Sequence, residues 1–196
     1  MPLTKITGKV YLNELVALAP TILSEYEAAL SSLHSLTPLG IQGWQLLEIY
    51  EQSRLTPNAD NIPTLKTFIE NLPNNVYPIM SAVSSISGGV LTDEMEHSEN
   101  YPVGLHRYHI PLHTCTNAFL SVQEDDGNWV QYTWEDGFAY KFENPQNTHF
   151  LSHNDTLEDR VIIILDVYED TPPTQDERDT CYNTAHSFLE HPNVFD

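Results

Sequence analysis

The chain changes character at about residue 76, where short runs of β-branched and aromatic residues begin. Gly, Asn, Asp and Pro separate these runs, and no helical pattern interrupts them. Strands that follow one another without helical crossovers are typical of antiparallel sheets. The pattern therefore predicts a mainly β protein with flanking helices and a jelly-roll, cupin-like barrel. We expect strands near residues 77–87, 104–112, 117–123, 128–133, 138–142, 147–152 and 160–168, with Asp-Gly hairpin turns at 125–128 and 135–137.

Other segments have the spacing of apolar residues, the caps and the prolines that accompany helices. One of them, residues 44–50, fits a strand and a short helix equally well. The expected helices span 14–19, capped by Asn13, then 21–33, started by Pro20, then 64–72 and 176–190.

A length of 196 residues suits one domain with one buried core. We expect that domain to span 1–196, with partly helical N-terminal support over 1–75, the β-barrel core that carries the chemistry over 76–170, and a C-terminal helical tail over 171–196. No apolar run approaches the roughly 20 residues of a membrane span. The N-terminus lacks the apolar core of a secretory signal, which predicts an intracellular, cytoplasmic protein.

Acidic residues dominate the composition, with 28 Asp and Glu against 8 Lys and Arg and a formal net charge of −20. Binding to nucleic acid or to an anionic membrane depends on clustered positive charge, so the composition argues against both partners. The two cysteines, Cys115 and Cys181, are too few for a disulfide framework or a zinc ribbon. We expect both to be buried, idle thiols.

Six of the nine histidines lie between His97 and Arg160. Residues two apart on a strand point to the same side, so His97 and Glu99 could hold one ion together, with His149 as a third ligand. Two imidazoles and one carboxylate on one side of an octahedral ion leave positions open for a co-substrate and O2. This is the arrangement of non-haem Fe(II) oxygenases. The alternative for His97 is a solvated histidine in an acidic loop.

Arg160 stands at the start of the most apolar run in the chain, Val-Ile-Ile-Ile-Leu at 161–165. A guanidinium at the end of an interior strand is costly to bury without an anion, and its planar fork suits a carboxylate. The sequence therefore predicts an anion-binding arginine beside the metal. The alternative is an internal salt bridge to Glu158, Asp159 or Asp166.

A second polar cluster lies on the segment 105–113, where Arg107 and His109 share one side of a predicted strand. If that side lines the barrel interior, it presents two cationic or donor groups near the metal. The alternative is an exposed strand with satisfied histidines, which is how we interpret the remaining ones, His106, His113 and His153.

These motifs occur in a characteristic order. His97 precedes Arg107-Tyr108-His109, which is followed by Trp-Glu-Asp-Gly at 134–137, by Phe-Glu-Asn at 142–144 with His149, and by the apolar strand at 160–168. This order resembles the aspartyl/asparaginyl β-hydroxylase family over residues 77–170. The resemblance implies a double-stranded β-helix and an Fe(II)- and 2-oxoglutarate-dependent dioxygenase.

By the same resemblance, His97 and His149 are the catalytic, iron-binding histidines, and Arg160 grips the distal carboxylate of 2-oxoglutarate. Arg107 and His109 match the residues that contact the carboxylate nearer the metal. Ser84, or alternatively Ser85, assists at the distal carboxylate. The Trp-Glu-Asp-Gly motif matches a turn and is interpreted as structural.

The chain departs from the animal enzymes of this family at Glu99, where they have no carboxylate. Other members resemble this chain in keeping an acidic residue there, so either Glu99 or a water completes the iron site. The expected reaction is hydroxylation, using O2, of an amino acid, a peptide side chain or a related small molecule. The alternatives are a non-catalytic cupin-like module that binds a ligand or partner, and a metal-dependent isomerase or hydrolase on the same barrel.

Overall fold

The computed structural model of the protein describes residues 3–30, 37–38, 44–89, 101–143, 147–153 and 157–187. Strands dominate this part of the chain and helices flank them. In chain order the elements are β1 (Leu3–Ile6), α1 (Val10–Leu30), β2 (Thr37–Pro38), β3 (Trp44–Glu51), β4 (Arg54–Leu55), a 3-10 turn (Pro57–Asn61), α2 (Pro63–Glu70), β5 (Val76–Ile86), β6 (His106–His113), β7 (Ala118–Gln123), β8 (Trp129–Tyr132), β9 (Ala139–Phe142), β10 (His149–His153), β11 (Arg160–Glu169) and α3 (Gln175–Ser187).

The strands form two antiparallel sheets. The large sheet has the order β1-β9-β6-β11-β5-β3-β2, with β4 paired to β3, and the small sheet has the order β10-β7-β8. Apolar residues of both sheets pack against each other, among them Val122 of β7 with Ile86 of β5 and Phe142 of β9. The prediction of a mainly β jelly roll is confirmed, and each of the seven predicted strands lies within two residues of an observed one.

The other side of the large sheet is covered by α1 and α2 and is called the helix face. It carries Leu47, Val83 and Ile163, which are fully buried in one apolar cluster with both helices. Burial of each side chain of this size contributes about 1.5–3 kcal/mol. This core fixes the large sheet against the helices and leaves its opposite face for the site.

Helix α1 differs from the prediction, because it runs through Pro20 as a single helix instead of two. Leu15, Ala19, Ile22 and Tyr26 are buried along one side of it, before and after the proline. Pro20 itself is exposed, so only its missing N–H and its ring disturb the helix. The continuous apolar side outweighs that local cost.

The two Asp-Gly turns have different outcomes. Gly127 has a φ of +84° and its N–H donates to Glu124 O over 2.8 Å, which makes the predicted hairpin between β7 and β8. The turn at Gly137 was expected to close a second hairpin, and that prediction is wrong. It leads from β8 in the small sheet to β9 in the large sheet. A local turn motif does not encode which strands pair across it.

Residues 44–50, whose pattern left the choice open, form strand β3 of the large sheet. Strand β1 also joins this sheet, so the segment before residue 76 contributes strands as well as helical support. Cys115 and Cys181 are buried and form no disulfide, as predicted. Among the helices in the described part of the chain, none combines the length and apolar composition that crossing a membrane requires.

Candidate active site

The face of the large sheet opposite the helices contains an opening at its centre. Ile164 is half-buried on this face, whereas its neighbours Ile163 and Leu165, which point to the helix face, are 0% exposed. Strand β11 lies between β5 and β6, so a partly exposed side chain in its middle requires a depression above it. We call this side of the sheet the site face. Ser84 and His109 lie on it beside β11.

Arg160 begins β11 and is 1% exposed. Its Nη2 donates to Ser84 Oγ over 3.4 Å, while its buried Nε has no hydrogen-bond partner among the described residues. Of the three alternative salt-bridge partners, Asp159 accepts from Gly88 N and Asp166 pairs with Arg107, and no salt bridge joins Arg160 to a described carboxylate. Burial lowers the pKa of Arg160 to about 9, which reflects the cost of a guanidinium without an anion.

The two adjacent serines lie on opposite faces of the large sheet. Ser84 faces Arg160, whereas Ser85 accepts a hydrogen bond from Tyr26 Oη over 2.7 Å on the helix face. This alternation is a property of any strand, and it makes Ser84 the serine of the pair that lies beside Arg160.

His109 lies in the middle of the site face and is buried, with its Nδ1 unpaired among the described residues. Burial lowers its pKa well below the usual value, and the charges of Arg107, Arg160 and His149 lower it further. All four side chains therefore lie close enough to interact. His109 is neutral at pH 7 and offers one donor and one acceptor nitrogen.

His149 is presented by β10 of the small sheet, across from the site face. Its Nδ1 lies 2.8 Å from Asn147 O, and since a carbonyl accepts, Nδ1 carries the proton. Nε2 is then the nitrogen with the lone pair that a metal requires. Phe142 packs edge-on against the imidazole, with ring centroids 4.9 Å apart, and fixes its orientation. His149 could therefore bind a metal through Nε2.

Arg107 is held by an internal carboxylate. Its Nε and Nη2 donate to the two oxygens of Asp166 over 2.8 Å each, and Nη2 also donates to Tyr101 Oη over 2.6 Å. The sequence analysis missed both partners. Asp166 had a signal, because strand alternation puts it on the same face as Arg160 and directly opposite Arg107. The pair is almost fully buried, which fixes the guanidinium in one orientation.

Trp134 forms part of the wall of the site, which its interpretation as a structural turn residue did not anticipate. The indole lies 5.5 Å from Arg160 Cζ and 5.9 Å from the His109 ring, measured to its centroid. It is 6% exposed. The site thus has an aromatic side next to its cationic and imidazole groups.

Two predicted metal ligands, His97 and Glu99, lie outside the described residues. Within the described ranges, no group of three or more His, Cys, Asp and Glu side chains is arranged to hold a metal. Of the other histidines, His106 lies on the helix face with its Nε2 3.8 Å from Glu169, and His113 is half-buried at the end of β6. Neither lies next to His149.

Comparison with known proteins connects this site to one family. The sequence model described as aspartyl/asparaginyl beta-hydroxylase matches residues 13–170, about four fifths of the chain. The resemblance seen in the motifs is therefore confirmed. No curated protein matches the sequence.

Solved structures share the fold at low identity. A prolyl-4-hydroxylase from Pseudomonas putida is 8% identical, with a TM-score of 0.53 over 87% of this chain and 94% of its own. HygX from Streptomyces hygroscopicus, with nickel and 2-oxoglutarate bound, is 10% identical, with a TM-score of 0.53 over 90% and 89%. The non-heme alpha ketoglutarate dependent epimerase SnoN, from nogalamycin biosynthesis, is 13% identical, with a TM-score of 0.55 over 90% and 92%.

Proposed function

The chain belongs to the aspartyl/asparaginyl β-hydroxylase family of 2-oxoglutarate-dependent oxygenases, and we propose that it hydroxylates an amino acid, a peptide side chain or a related small molecule. As a member of this family it uses Fe(II) and 2-oxoglutarate. The rival interpretation, a non-catalytic binding module, is not favoured by this membership. What remains to be proposed is which residues perform each role and what the substrate is.

The observation that carries the assignment of the site is the buried guanidinium of Arg160, which has no anionic partner among the described residues. A protein with a net charge of −20 has many carboxylates, yet none of the described ones pairs with this arginine. A ligand carboxylate would supply the missing charge and accept from the unpaired Nε. Ser84 lies beside the guanidinium and would add a further donor. These residues fit the distal carboxylate of 2-oxoglutarate.

We assign the iron to His97, His149 and Glu99, with a water as the alternative to Glu99. Support within the described residues comes from His149, whose protonated Nδ1 leaves Nε2 to bind a metal. When bound, iron and 2-oxoglutarate supply the oxidising power that inserts an oxygen atom from O2 into a C–H bond.

The protein's own residues orient and enclose the reactants. Arg160 and Ser84 would hold one end of 2-oxoglutarate, while neutral His109 would hydrogen-bond to the end nearer the metal. Arg107 was expected to contact the same carboxylate. Asp166 holds its guanidinium in place, and the positive charge of Arg107 helps to lower the pKa of His109. Phe142 and Ile164 provide apolar walls that keep water from the reacting centre.

The direct test incubates the purified protein with Fe(II) and 2-oxoglutarate under nitrogen, admits O2, and measures succinate and hydroxylated products with a panel of amino acids and peptides. We expect substrate-dependent succinate. Failure of the metal-loaded protein to bind 2-oxoglutarate in calorimetry would refute the assignment.

A matched pair of variants tests the site residues. Ser84→Ala should weaken 2-oxoglutarate binding, since its hydroxyl lies beside Arg160, whereas Ser85→Ala on the opposite face should not. Arg160→Ala should weaken 2-oxoglutarate binding far more than metal binding. Equal losses of both would indicate a structural arginine instead.

A further inference from the structure

Trp134 carries a buried hydrogen-bond donor that no described residue accepts. Its side chain is 6% exposed, and its Nε1 is shielded from solvent without a partner. A buried indole N–H normally has an acceptor, because leaving it unpaired costs stability. The missing acceptor therefore calls for an explanation.

The unpaired N–H does not stand alone. Arg160 Nε and His109 Nδ1 are also buried and unpaired among the described residues, and both side chains lie next to the indole. The three groups come from β6, from β11 and from the segment between β8 and β9. Three buried atoms without described partners, on side chains from separate segments that lie within 6 Å of one indole ring, indicate a ligand rather than three unrelated defects.

The chemistry of the two donors selects the ligand. An indole N–H can only donate, and a guanidinium can only donate and is positively charged. The group between them must therefore accept hydrogen bonds and carry negative charge. A carboxylate does both, with about four lone-pair positions on its two oxygens, enough for several donors. An amine or a guanidine from a substrate would leave both donors unpaired.

We propose that Trp134 is a binding residue for 2-oxoglutarate, and that its Nε1–H donates to the distal carboxylate held by Arg160. The inference rests on the proposed function of the site. The indole has a second effect, because its ring 5.5 Å from Arg160 Cζ is placed for a cation–π contact that orients the guanidinium. Trp134 thus both contacts the co-substrate and positions the residue that binds it.

The test compares Trp134→Phe with Trp129→Phe, a control on β8 whose side chain is 40% exposed. Phenylalanine keeps an aromatic ring and removes the N–H. Binding is measured by calorimetry on the full chain, loaded with Mn(II) under nitrogen. Loss of one hydrogen bond to a charged group should weaken 2-oxoglutarate binding about 10- to 100-fold in the first variant. The control should bind like the wild type.

A second ligand identifies the carboxylate. 2-Oxopentanoate has the same chain length as 2-oxoglutarate and lacks the distal carboxylate, so wild type and Trp134→Phe should bind it equally weakly. Equal binding of 2-oxoglutarate by both proteins would overturn the proposal. So would an equal fold-loss for both ligands, because the N–H would then not address the distal carboxylate. Failure of wild type and control to bind 2-oxoglutarate would refute the proposed function itself.

A measurement on the wild type keeps the test independent of the variant's folding. The chain has three tryptophans, so nitrogen-15 labelling gives three indole N–H signals. In the Zn(II)-loaded protein, one of them should move downfield and become protected from exchange when 2-oxoglutarate is added. If none of the three signals responds to a saturating amount of 2-oxoglutarate, the indole does not donate to it.

Discussion

Replacing Arg160 by methionine should make the protein more stable while removing its stabilisation by 2-oxoglutarate. The guanidinium is 1% exposed and forms no ion pair with a described residue. Methionine fills a similar volume without a charge. We therefore expect Arg160 to lower the free energy of unfolding of the protein when no ligand is bound.

The magnitude follows from the buried charge. Burial lowers the pKa of Arg160 from 12.5 to about 9. At about 1.36 kcal/mol for each pH unit, the unfavourable free energy of the charge has an upper limit of about 5 kcal/mol. Relaxation and hydration of the site reduce it, and replacing buried ionic groups with apolar ones commonly gives about 1–4 kcal/mol. We expect the free energy of unfolding of Arg160→Met to rise within that range.

The assay is urea unfolding of the metal-loaded protein under nitrogen, with and without 2-oxoglutarate. A ligand at 100 times its Kd stabilises the wild type by about 2.7 kcal/mol. The variant should gain almost nothing from the same concentration. Arg54→Met, at an exposed position on β4, is the control and should match the wild type in both conditions.

Two results would refute this reasoning. One is a variant that is less stable than the wild type without ligand, since Arg160 would then have a favourable partner within the protein. The other is full stabilisation of the variant by 2-oxoglutarate, since the carboxylate would then bind elsewhere.

Three further predictions concern the stability of the fold. Asp166→Asn should destabilise the protein by about 3–5 kcal/mol in urea unfolding, because it leaves buried Arg107 without its counter-charge. The double variant Arg107→Met, Asp166→Leu should lose less stability, and a larger loss would contradict this reasoning. For Glu169, burial raises the pKa, but hydrogen bonds from a lysine and a tyrosine outweigh it and the pKa is lowered. The stabilisation that ionised Glu169 contributes should therefore be present above its unfolded pKa of 4.5 and lost as the pH falls through the folded value. The free energy of unfolding, measured from pH 7 down to 3, should decline less steeply in Glu169→Gln than in the wild type. Parallel profiles of the two proteins would rule this out. Gly104→Ala should lower the free energy of unfolding by about 1–3 kcal/mol, which is more than Gly127→Ala should. Both glycines have positive φ, but only at Gly104 would the added Cβ lie 3.3 Å from a tyrosine ring. Equal losses in the two variants would show that the contact with the ring relaxes freely.

The strands were predictable because their signal is local. Alternation of side chains, β-branched content and Asp-Gly turns all act within a few residues, and the predicted strand 160–168 is the observed β11 to within one residue. Pro20 was misjudged for the opposite reason. Its local effect is to break a helix, but the buried side of α1 continues past it through contacts with β6 and α2, which are distant in sequence.

The site divides in the same way. The motif order predicted Arg160, His109 and His149, which the fold places near one another. Alternation along β5 could have chosen Ser84 over Ser85 as the neighbour of Arg160 once one buried face was known. The position of Trp134 beside Arg160 and His109 could not be deduced, because its motif specifies a turn and not the direction of the ring. His97 and Glu99 remain predictions.

The sequence by itself determined the class of protein, the strand pattern and the set of residue types that can bind iron and a carboxylate, because these depend on local periodicity and on side-chain chemistry. Only the tertiary structure decided which of these groups already have partners. Asp166 neutralises Arg107 across two paired strands, while Arg160, His109 and Trp134 lie side by side with buried atoms that no described residue pairs. Whether a buried polar group finds a hydrogen-bond or ion-pair partner depends on strand register and sheet packing, because these bring together residues that are far apart in the chain. Whether a buried arginine has a partner within the protein is therefore a property of the fold.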